Sequence, residues 1–261
     1  METMNVPSVK LNNGIDMPVF GLGTWKMDDG AEAADAVKTA LLMGYRLIDT
    51  ATLYGNEESV GRAIRESGIP REEIFLTTKL WPTDFFTPRK AFERSLSALG
   101  LGYVDLYLVH WPIPMMPRGV WTALEQIYEE KLARSIGVSN YGIDDIETLL
   151  SYAHIPPAVN QVKFSPFDYE KDLLEYCNEN HIALEAYSPL TRGAKLADAR
   201  VLAVAKKHGK TPAQVMIRWC LEHGTIVIPK SSNPDRLREN AGVFDWKLSS
   251  DEVASLDSLS A

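Results

Sequence analysis

The sequence predicts an α/β protein that folds as a closed (β/α)8 TIM barrel with an N-terminal β-hairpin. Short apolar runs recur along the 261 residues, and stretches with a 3.6-residue period separate them. The runs are apolar on both faces, which is typical of parallel strands covered by helices. Because such a barrel needs roughly 250 residues, we expect one domain over residues 1–261.

The elements are expected in a regular order. A hairpin with strands at 9–11 and 15–18 surrounds the turn Asn12-Asn13-Gly14. The barrel strands are predicted at 19–22, 46–48, 74–77, 104–109, 135–138, 158–162, 182–186 and 226–228. Helices are predicted at 31–42, 57–67, 88–99, 120–131, 144–152, 169–179, 212–222, 234–240 and around 250–259.

An open doubly wound sheet is the competing fold. Its usual dinucleotide signal, G-x-G-x-x-G after the first strand, is absent. The nearest match, Gly21-Leu22-Gly23, lacks the third glycine. The sequence therefore favours the closed barrel.

Composition excludes several classes of function. The 27 basic and 35 acidic side chains give a net charge of −8, which argues against general nucleic-acid binding but not against a local anion pocket. Cys177 and Cys220 fall in amphipathic stretches and are expected to be reduced core thiols. Residues 1–14 lack a signal-peptide pattern, and prolines interrupt the longest apolar stretch, 106–117. We therefore expect a cytoplasmic monomer that binds neither membranes nor nucleic acids.

The predicted strands are followed mostly by polar residues. The residues at these positions are Gly23-Thr24-Trp25, Asp49, Lys79, His110, Ser139-Asn140, Gln161, Tyr187-Ser188 and Lys230-Ser231. Because the carboxyl ends of barrel strands converge on one mouth, these residues are expected to meet in space. Each of these residues taken alone could have a purely structural role, such as an aspartate in a turn or a histidine in the core.

The combination of Asp49, Lys79, Tyr54 and His110 indicates acid–base chemistry. Asp49 can hold the Lys79 ammonium inside the mouth, and that cation would lower the pKa of Tyr54 from about 10. A tyrosine tuned in this way can protonate a carbonyl oxygen, which His110 would orient. No histidine pair has the spacing of metal ligands, so no metal site is expected.

A second candidate site is an anion pocket near the carboxyl end of the chain. Asn233-Pro234 is typical of a helix start, and the free N–H groups of that helix end are expected to form the pocket with Lys230, Ser231 and Arg236. The alternative is an ordinary capped surface helix.

The sequence resembles the aldo-keto reductases in four places. These are segment 44–51, the run Tyr54-Gly55-Asn56-Glu57, Lys79 before Leu80-Trp81, and His110 before Trp111-Pro112. The matches run in order from about Leu11 to Leu248. Among these reductases the chain resembles the short bacterial and archaeal members close to the diketogluconate-reductase branch.

The resemblance implies a carbonyl reductase that uses NADPH in preference to NADH. Tyr54 would be the general acid, Lys79 and Asp49 would tune it, and His110 would position the carbonyl. The remaining assignments concern the cofactor and the substrate. In the cofactor site, the nicotinamide would stack on Tyr187, its carboxamide would be held by Ser139, Asn140 and Gln161, and further contacts would come from Gly23, Thr24 and Ser188. A 2′-phosphate would be bound by Lys230, Ser231 and Arg236, and the adenosine would meet Glu239 and Asn240. The substrate would be surrounded by Trp25, Trp81 and Trp111.

The sequence differs from the longer aldo-keto reductases at two loops or ends, and these differences imply that the substrate cavity opens widely to solvent. The loop after His110 is short, and the chain stops at Ala261 soon after the last predicted helix. We therefore expect broad use of aldehydes and ketones, including keto sugars or dicarbonyls.

Two other functions remain open at this stage. A lysine at a strand end can attack carbonyls, so Lys79 could serve a Schiff-base lyase or aldolase. The chain could also be a non-catalytic NADPH-binding module. The predicted pairing with Asp49 argues against the first, and the complete set of four residues argues against the second.

Overall fold

A computed structural model describes residue 4 and residues 6–260. The outermost residues of the predicted domain, 1–3, 5 and 261, lie outside this range. The chain begins with an antiparallel hairpin of β1, Ser8–Lys10, and β2, Asp16–Pro18, in which Val9 pairs with Met17. Met17 is buried and packs into the same apolar cluster as barrel residues, so the hairpin covers one end of the barrel.

Eight parallel strands follow in one sheet whose spatial order is the chain order. They are β3 Gly21–Gly23, β4 Leu47–Asp49, β5 Phe75–Leu80, β6 Val104–Val109, β7 Ala133–Ser139, β8 Val159–Lys163, β9 Ala183–Tyr187 and β10 Ile226–Ile228. The ends of the sheet meet where Val227 N donates to Val19 O at 2.9 Å and Gly23 N donates to Pro229 O at 3.4 Å. The predicted barrel and hairpin are confirmed.

The helices surround this sheet. They are α1 Ala31–Met43, α2 Glu57–Glu66, α3 Pro88–Leu99, α4 Arg118–Glu129, α5 Ile143–Leu150, α6 Lys171–Glu179, α7 Ala199–His208, α8 Pro212–Glu222, α9 Pro234–Ala241 and α10 Ser250–Asp257. The sequence prediction missed α7. Its buried face is narrow, formed by Val201, Val204 and Ala205, and its last turn is basic.

Side chains alternate between the lumen and the helices, as the two-residue period of a strand requires. The lumen is apolar towards the hairpin, where Leu47, Phe75 and Leu106 pack together. Two residues beyond Leu47 along β4, the lumen becomes polar at Asp49. The Asp49 carboxylate thus lies at the carboxyl end of its strand, where active sites of this architecture lie.

Cys177 and Cys220 are buried and unpaired, as predicted. Within residues 4 and 6–260, no helix combines the length and the hydropathy needed to cross a bilayer.

Candidate active site

A buried ion pair lies at the carboxyl end of the lumen. Lys79, on β5, is fully buried, and Asp49, the last residue of β4, is 2% exposed. Lys79 Nζ donates to Asp49 Oδ1 at 2.7 Å, to Asp49 Oδ2 at 2.6 Å and to Thr50 O at 2.9 Å. Both residues were predicted just after their strands, but they lie within them, so the rigid sheet fixes their backbones.

The environment keeps this pair charged. Burial by itself lowers the pKa of Lys79, but the adjacent Asp49 carboxylate outweighs that effect and raises the pKa above its ordinary value. Asp49 accepts all its hydrogen bonds from N–H donors, two from Lys79 and one from Gln161. Three donors converging on one carboxyl favour its ionised form.

Tyr54 stands directly above the pair. It ends the short 3-10 turn Thr52–Tyr54 that follows β4, and Lys79 Nζ donates to its hydroxyl oxygen at 3.2 Å. Its ring meets the His110 ring edge to face, with centroids 5.7 Å apart. The structure therefore brings together the four residues that the sequence singled out.

The predicted lowering of the Tyr54 pKa was wrong. Burial raises the pKa of Tyr54 to about 12, and Lys79 only partly opposes this effect. The sequence indicated the sign of the lysine contribution but not the extent to which the hydroxyl loses water. The phenol is consequently protonated at neutral pH.

His110 follows β6 and is 8% exposed. Burial, and next the Lys79 charge, lower the pKa of its imidazole to about 3. Its Nδ1 is buried without a hydrogen-bond partner among the described residues. A neutral imidazole offers one N–H donor and one acceptor, which suits it to orienting an oxygen rather than protonating it.

A hydrogen-bonded chain ties the next strands to this group. Tyr187 OH donates to Asn140 Oδ1 at 2.7 Å, and Asn140 Nδ2 donates to His110 O at 3.0 Å. Ser139 Oγ donates to Gln161 O at 2.8 Å. These contacts hold the Tyr187 ring at the rim, where a flat ligand can stack on it.

Sequence reasoning missed Glu185 on β9. It is fully buried in the lumen, and Gln161 Nε2 donates to its Oε2 at 2.8 Å. Burial, and next the Asp49 charge, raise the pKa of Glu185 to about 8. An acidic residue inside the apolar run 182–186 was the available signal, because buried glutamates are rare unless they are paired.

The predicted anion pocket also differs in detail. The Asn233 side chain accepts from the backbone N–H groups of Asp235 and Arg236 at 2.9 and 3.1 Å, so the N–H groups expected to be free at the start of α9 are already engaged. Pro234 has no N–H. An anion here would be bound by the side chains of Lys230 and Arg236, which are exposed, and of Ser231.

The two regions line one cavity of about 1180 Å³. Nearly all of the predicted site residues border it; these are Gly23, Trp25, Asp49, Tyr54, Trp81, His110, Trp111, Ser139, Asn140, Gln161, Tyr187, Ser188, Lys230, Ser231, Arg236, Glu239 and Asn240. Lys79 is absent from the lining because it lies beneath Tyr54. Thr24 is also absent, since it is fully buried and donates to Asp49 O at 3.0 Å.

Arg192 is a further lining residue that the sequence did not indicate. It lies in the turn after β9 with a positive φ of 55°. Its guanidinium carbon is 4.7 Å from the Trp25 ring centroid. This cation–π contact joins the loops after β3 and β9 across the mouth.

Comparison with known proteins agrees with this geometry. The profile of the Aldo/keto reductase family matches residues 19–261. The chain belongs to this family. As a member of the aldo/keto reductases it is an oxidoreductase, as predicted.

Similar proteins match almost end to end. Glyoxal reductase of Bacillus subtilis (strain 168) is 47% identical over 261 residues, which cover 99% of this chain and 95% of that protein. The crystal structure of an aldo/keto reductase from Brucella melitensis superimposes with a TM-score of 0.94 at 45% identity, covering 98% of this chain and 100% of that one. An aldo-keto reductase crystallised with NADPH has a TM-score of 0.92 at 34% identity, covering 98% and 88%.

The ion pair leads to a stability prediction. Asp49→Asn leaves the Lys79 ammonium buried without a counter-charge, and we expect the free energy of unfolding to fall by about 3–5 kcal/mol. Urea denaturation at neutral pH measures this loss. The matched control is Asp16→Asn, which removes the exposed pair with Lys10 at 3.0 Å and should cost less than about 1 kcal/mol. Equal losses of unfolding free energy in the two variants would show that the buried ion pair stabilises the fold no more than the exposed one.

Proposed function

We propose that the protein reduces aldehydes and ketones to alcohols with NADPH, and that Tyr54 donates the proton. One observation carries this proposal: the Tyr54 hydroxyl, held at 3.2 Å by a buried ammonium, borders the same cavity as the cationic side chains at α9. A proton donor and an anchor for a phosphorylated cofactor therefore share one space.

The lining residues fit a nicotinamide dinucleotide. The Tyr187 ring, fixed through Asn140, provides a flat surface, and Gln161 borders the cavity next to it. Lys230 and Arg236 provide positive charge for a 2′-phosphate at the other end. When bound, the reduced cofactor supplies the hydride for the carbonyl carbon.

The protein's own part in the reaction is proton transfer. Tyr54 is protonated at neutral pH and donates its proton to the carbonyl oxygen. The Lys79 ammonium stabilises the phenolate that remains, because opposite charges at 3.2 Å attract strongly away from water. Asp49 keeps that ammonium charged, and neutral His110 orients the oxygen without competing to protonate it.

The substrates proposed are aldehydes and ketones, with dicarbonyls and keto sugars among them. Trp25, Trp81 and Trp111 border the mouth, and Trp111 is 48% exposed. An apolar rim above polar reacting groups suits small carbonyl compounds of varied shape. The relative named glyoxal reductase supports a dicarbonyl substrate.

The buried position of Lys79 disfavours the aldolase alternative. A Schiff-base lysine must be neutral and must reach the substrate, whereas Lys79 is fully buried and paired with Asp49. The assembled group of four residues likewise favours an enzyme over a non-catalytic binding module.

Removing the proton donor gives the first functional prediction. Tyr54→Phe should lower kcat for carbonyl reduction by about 10²–10⁴-fold while NADPH binding changes little. Steady-state kinetics and fluorescence quenching measure the two effects. The control is Tyr107→Phe, because the buried Tyr107 hydroxyl has no partner among the described residues and its ring packs against Phe92 of α3, with centroids 4.8 Å apart. Turnover of Tyr54→Phe at the parent level would exclude Tyr54 as the donor.

Removing the cation should move the pH profile. Because Lys79 lowers the pKa of Tyr54, Lys79→Met should raise the apparent pKa for alcohol oxidation, which needs the phenolate. On the rising limb of the pH profile, below this pKa, a shift of about one pH unit should lower kcat for alcohol oxidation about tenfold at each pH, which steady-state kinetics measure. The double variant Lys79→Met, Asp49→Leu avoids a lone buried carboxylate and should shift in the same direction. An unchanged or lowered apparent pKa in both variants would contradict the assigned role.

The anion pocket predicts cofactor preference. Arg236→Ala should raise the Kd for NADPH about tenfold or more and leave the Kd for NADH nearly unchanged, since only NADPH carries the 2′-phosphate. Arg238→Ala is the matched control, because Arg238 lies on the same helix, is exposed and pairs with Asp235. Equal loss of affinity for both cofactors would argue against a 2′-phosphate contact at Arg236.

A further inference from the structure

We propose that Glu185 is a positioning residue that fixes the Gln161 amide with its carbonyl oxygen towards the cavity, and so selects the carboxamide of the cofactor. The identity of that ligand rests on the function proposed above. The geometry of the lumen provides the rest of the argument.

Both amide protons of Gln161 are engaged behind the cavity wall. Its Nε2 donates to Asp49 Oδ2 at 2.8 Å and to Glu185 Oε2 at 2.8 Å. An amide has one donor end and one acceptor end, so the acceptor, Oε1, remains available. No described residue donates to Oε1, and Gln161 borders the cavity.

Glu185 makes this orientation hard to reverse. A flipped amide would turn Oε1 towards the Asp49 carboxylate and lose that hydrogen bond, and it would also lose the second one while Glu185 is ionised. A neutral Glu185 carboxyl could donate its O–H to the flipped Oε1, so the repulsion at Asp49 decides the orientation in that state. If Asp49 were the sole acceptor for the Gln161 amide, one Nε2 proton would have no hydrogen-bond acceptor. A neutral carboxyl and a carboxylate both accept at Oε2, so the contact persists on either side of the Glu185 pKa of about 8.

Stability does not explain the presence of Glu185. Its side chain is fully buried, and its Oε1 has no hydrogen-bond partner among the described residues. An unpaired buried carboxyl oxygen lowers stability relative to an apolar side chain of the same shape. Among the described residues, the Glu185 carboxyl accepts one hydrogen bond, from Gln161, so this amide is its direct contact with the cavity wall.

Glu185 acts through Gln161 and not on the substrate. It does not border the cavity, whereas Gln161 does. An acceptor held rigidly at this point suits a ligand N–H next to the Tyr187 ring. The amide of a nicotinamide carries such a donor, and the methyl ketone of its acetylpyridine analogue does not.

The test compares three probes on four proteins by quenching of intrinsic fluorescence. The probes are NADPH, its acetylpyridine analogue, and adenosine 2′,5′-bisphosphate, which lacks the nicotinamide. The proteins are the parent, Glu185→Met, Glu185→Gln and Thr77→Val. Thr77 is the matched control because it is fully buried on β5 and its hydroxyl has no hydrogen-bond partner, Gln161 included, among the described residues.

We expect Glu185→Met to raise the Kd for NADPH about tenfold and to change the Kd of the other two probes by less than about twofold. Glu185→Gln retains an acceptor and should recover most of the NADPH affinity. Thr77→Val should match the parent for all three probes. Because each ratio of Kd values comes from one preparation, partial loss of folded protein cannot imitate this pattern.

Four results would overturn the inference. Equal weakening of all three probes in Glu185→Met would indicate general disruption, and no weakening of NADPH would show that Gln161 does not need Glu185. A parent that binds NADPH but does not distinguish it from the acetylpyridine analogue would exclude a carboxamide contact. A parent that binds adenosine 2′,5′-bisphosphate but not NADPH would overturn the proposed function as well, which separates the two failures.

Discussion

The site depends on one constraint, the presence of an ammonium inside a barrel lumen that excludes water. Lys79 is fully buried, and an isolated charge there would be strongly destabilising. Asp49, on the adjacent strand, supplies the counter-charge at 2.6 Å, so the pair must form for the top of the lumen to pack. The chemistry follows from that pairing, because the same ammonium reaches the hydroxyl of Tyr54.

The pair also organises the residues around it. Asp49 accepts from Gln161, which in turn bridges to Glu185, so β4, β8 and β9 are joined by side chains as well as by the sheet. Tyr54 rises from the turn after β4 over this layer. The lumen therefore has an apolar end next to the hairpin and a polar end, where Asp49 and Lys79 lie on strands and Tyr54 lies on the turn that follows β4.

Apart from α7, the order of elements was accessible from the sequence, and so were the residues at the strand ends. Asp49, Lys79 and His110 stood out because polar residues that end apolar strands of a barrel converge on one mouth. Quantities that depend on burial were not accessible. The pKa of Tyr54 was predicted to fall, but loss of water raises it more than Lys79 lowers it.

Three-dimensional contacts explain the other differences. Glu185 was counted as part of an apolar run, since only the closed barrel shows that its side chain faces Gln161. The N–H groups at the start of α9 were expected to be free, but the Asn233 side chain turns back to accept from them. Both outcomes depend on which way a polar side chain points, which local pattern does not determine.

The whole site depends on the charge on Lys79, whose protonation state can be measured directly. In protein labelled with ¹⁵N at lysine, the Nζ resonance that is lost in Lys79→Met belongs to this residue. We predict that this resonance remains that of an ammonium beyond about pH 10.4, the usual lysine pKa, since Asp49 raises the pKa of Lys79. Titration of Lys79 to the neutral amine below about pH 8 would contradict the buried ion pair and the stabilisation of the Tyr54 phenolate that depends on it.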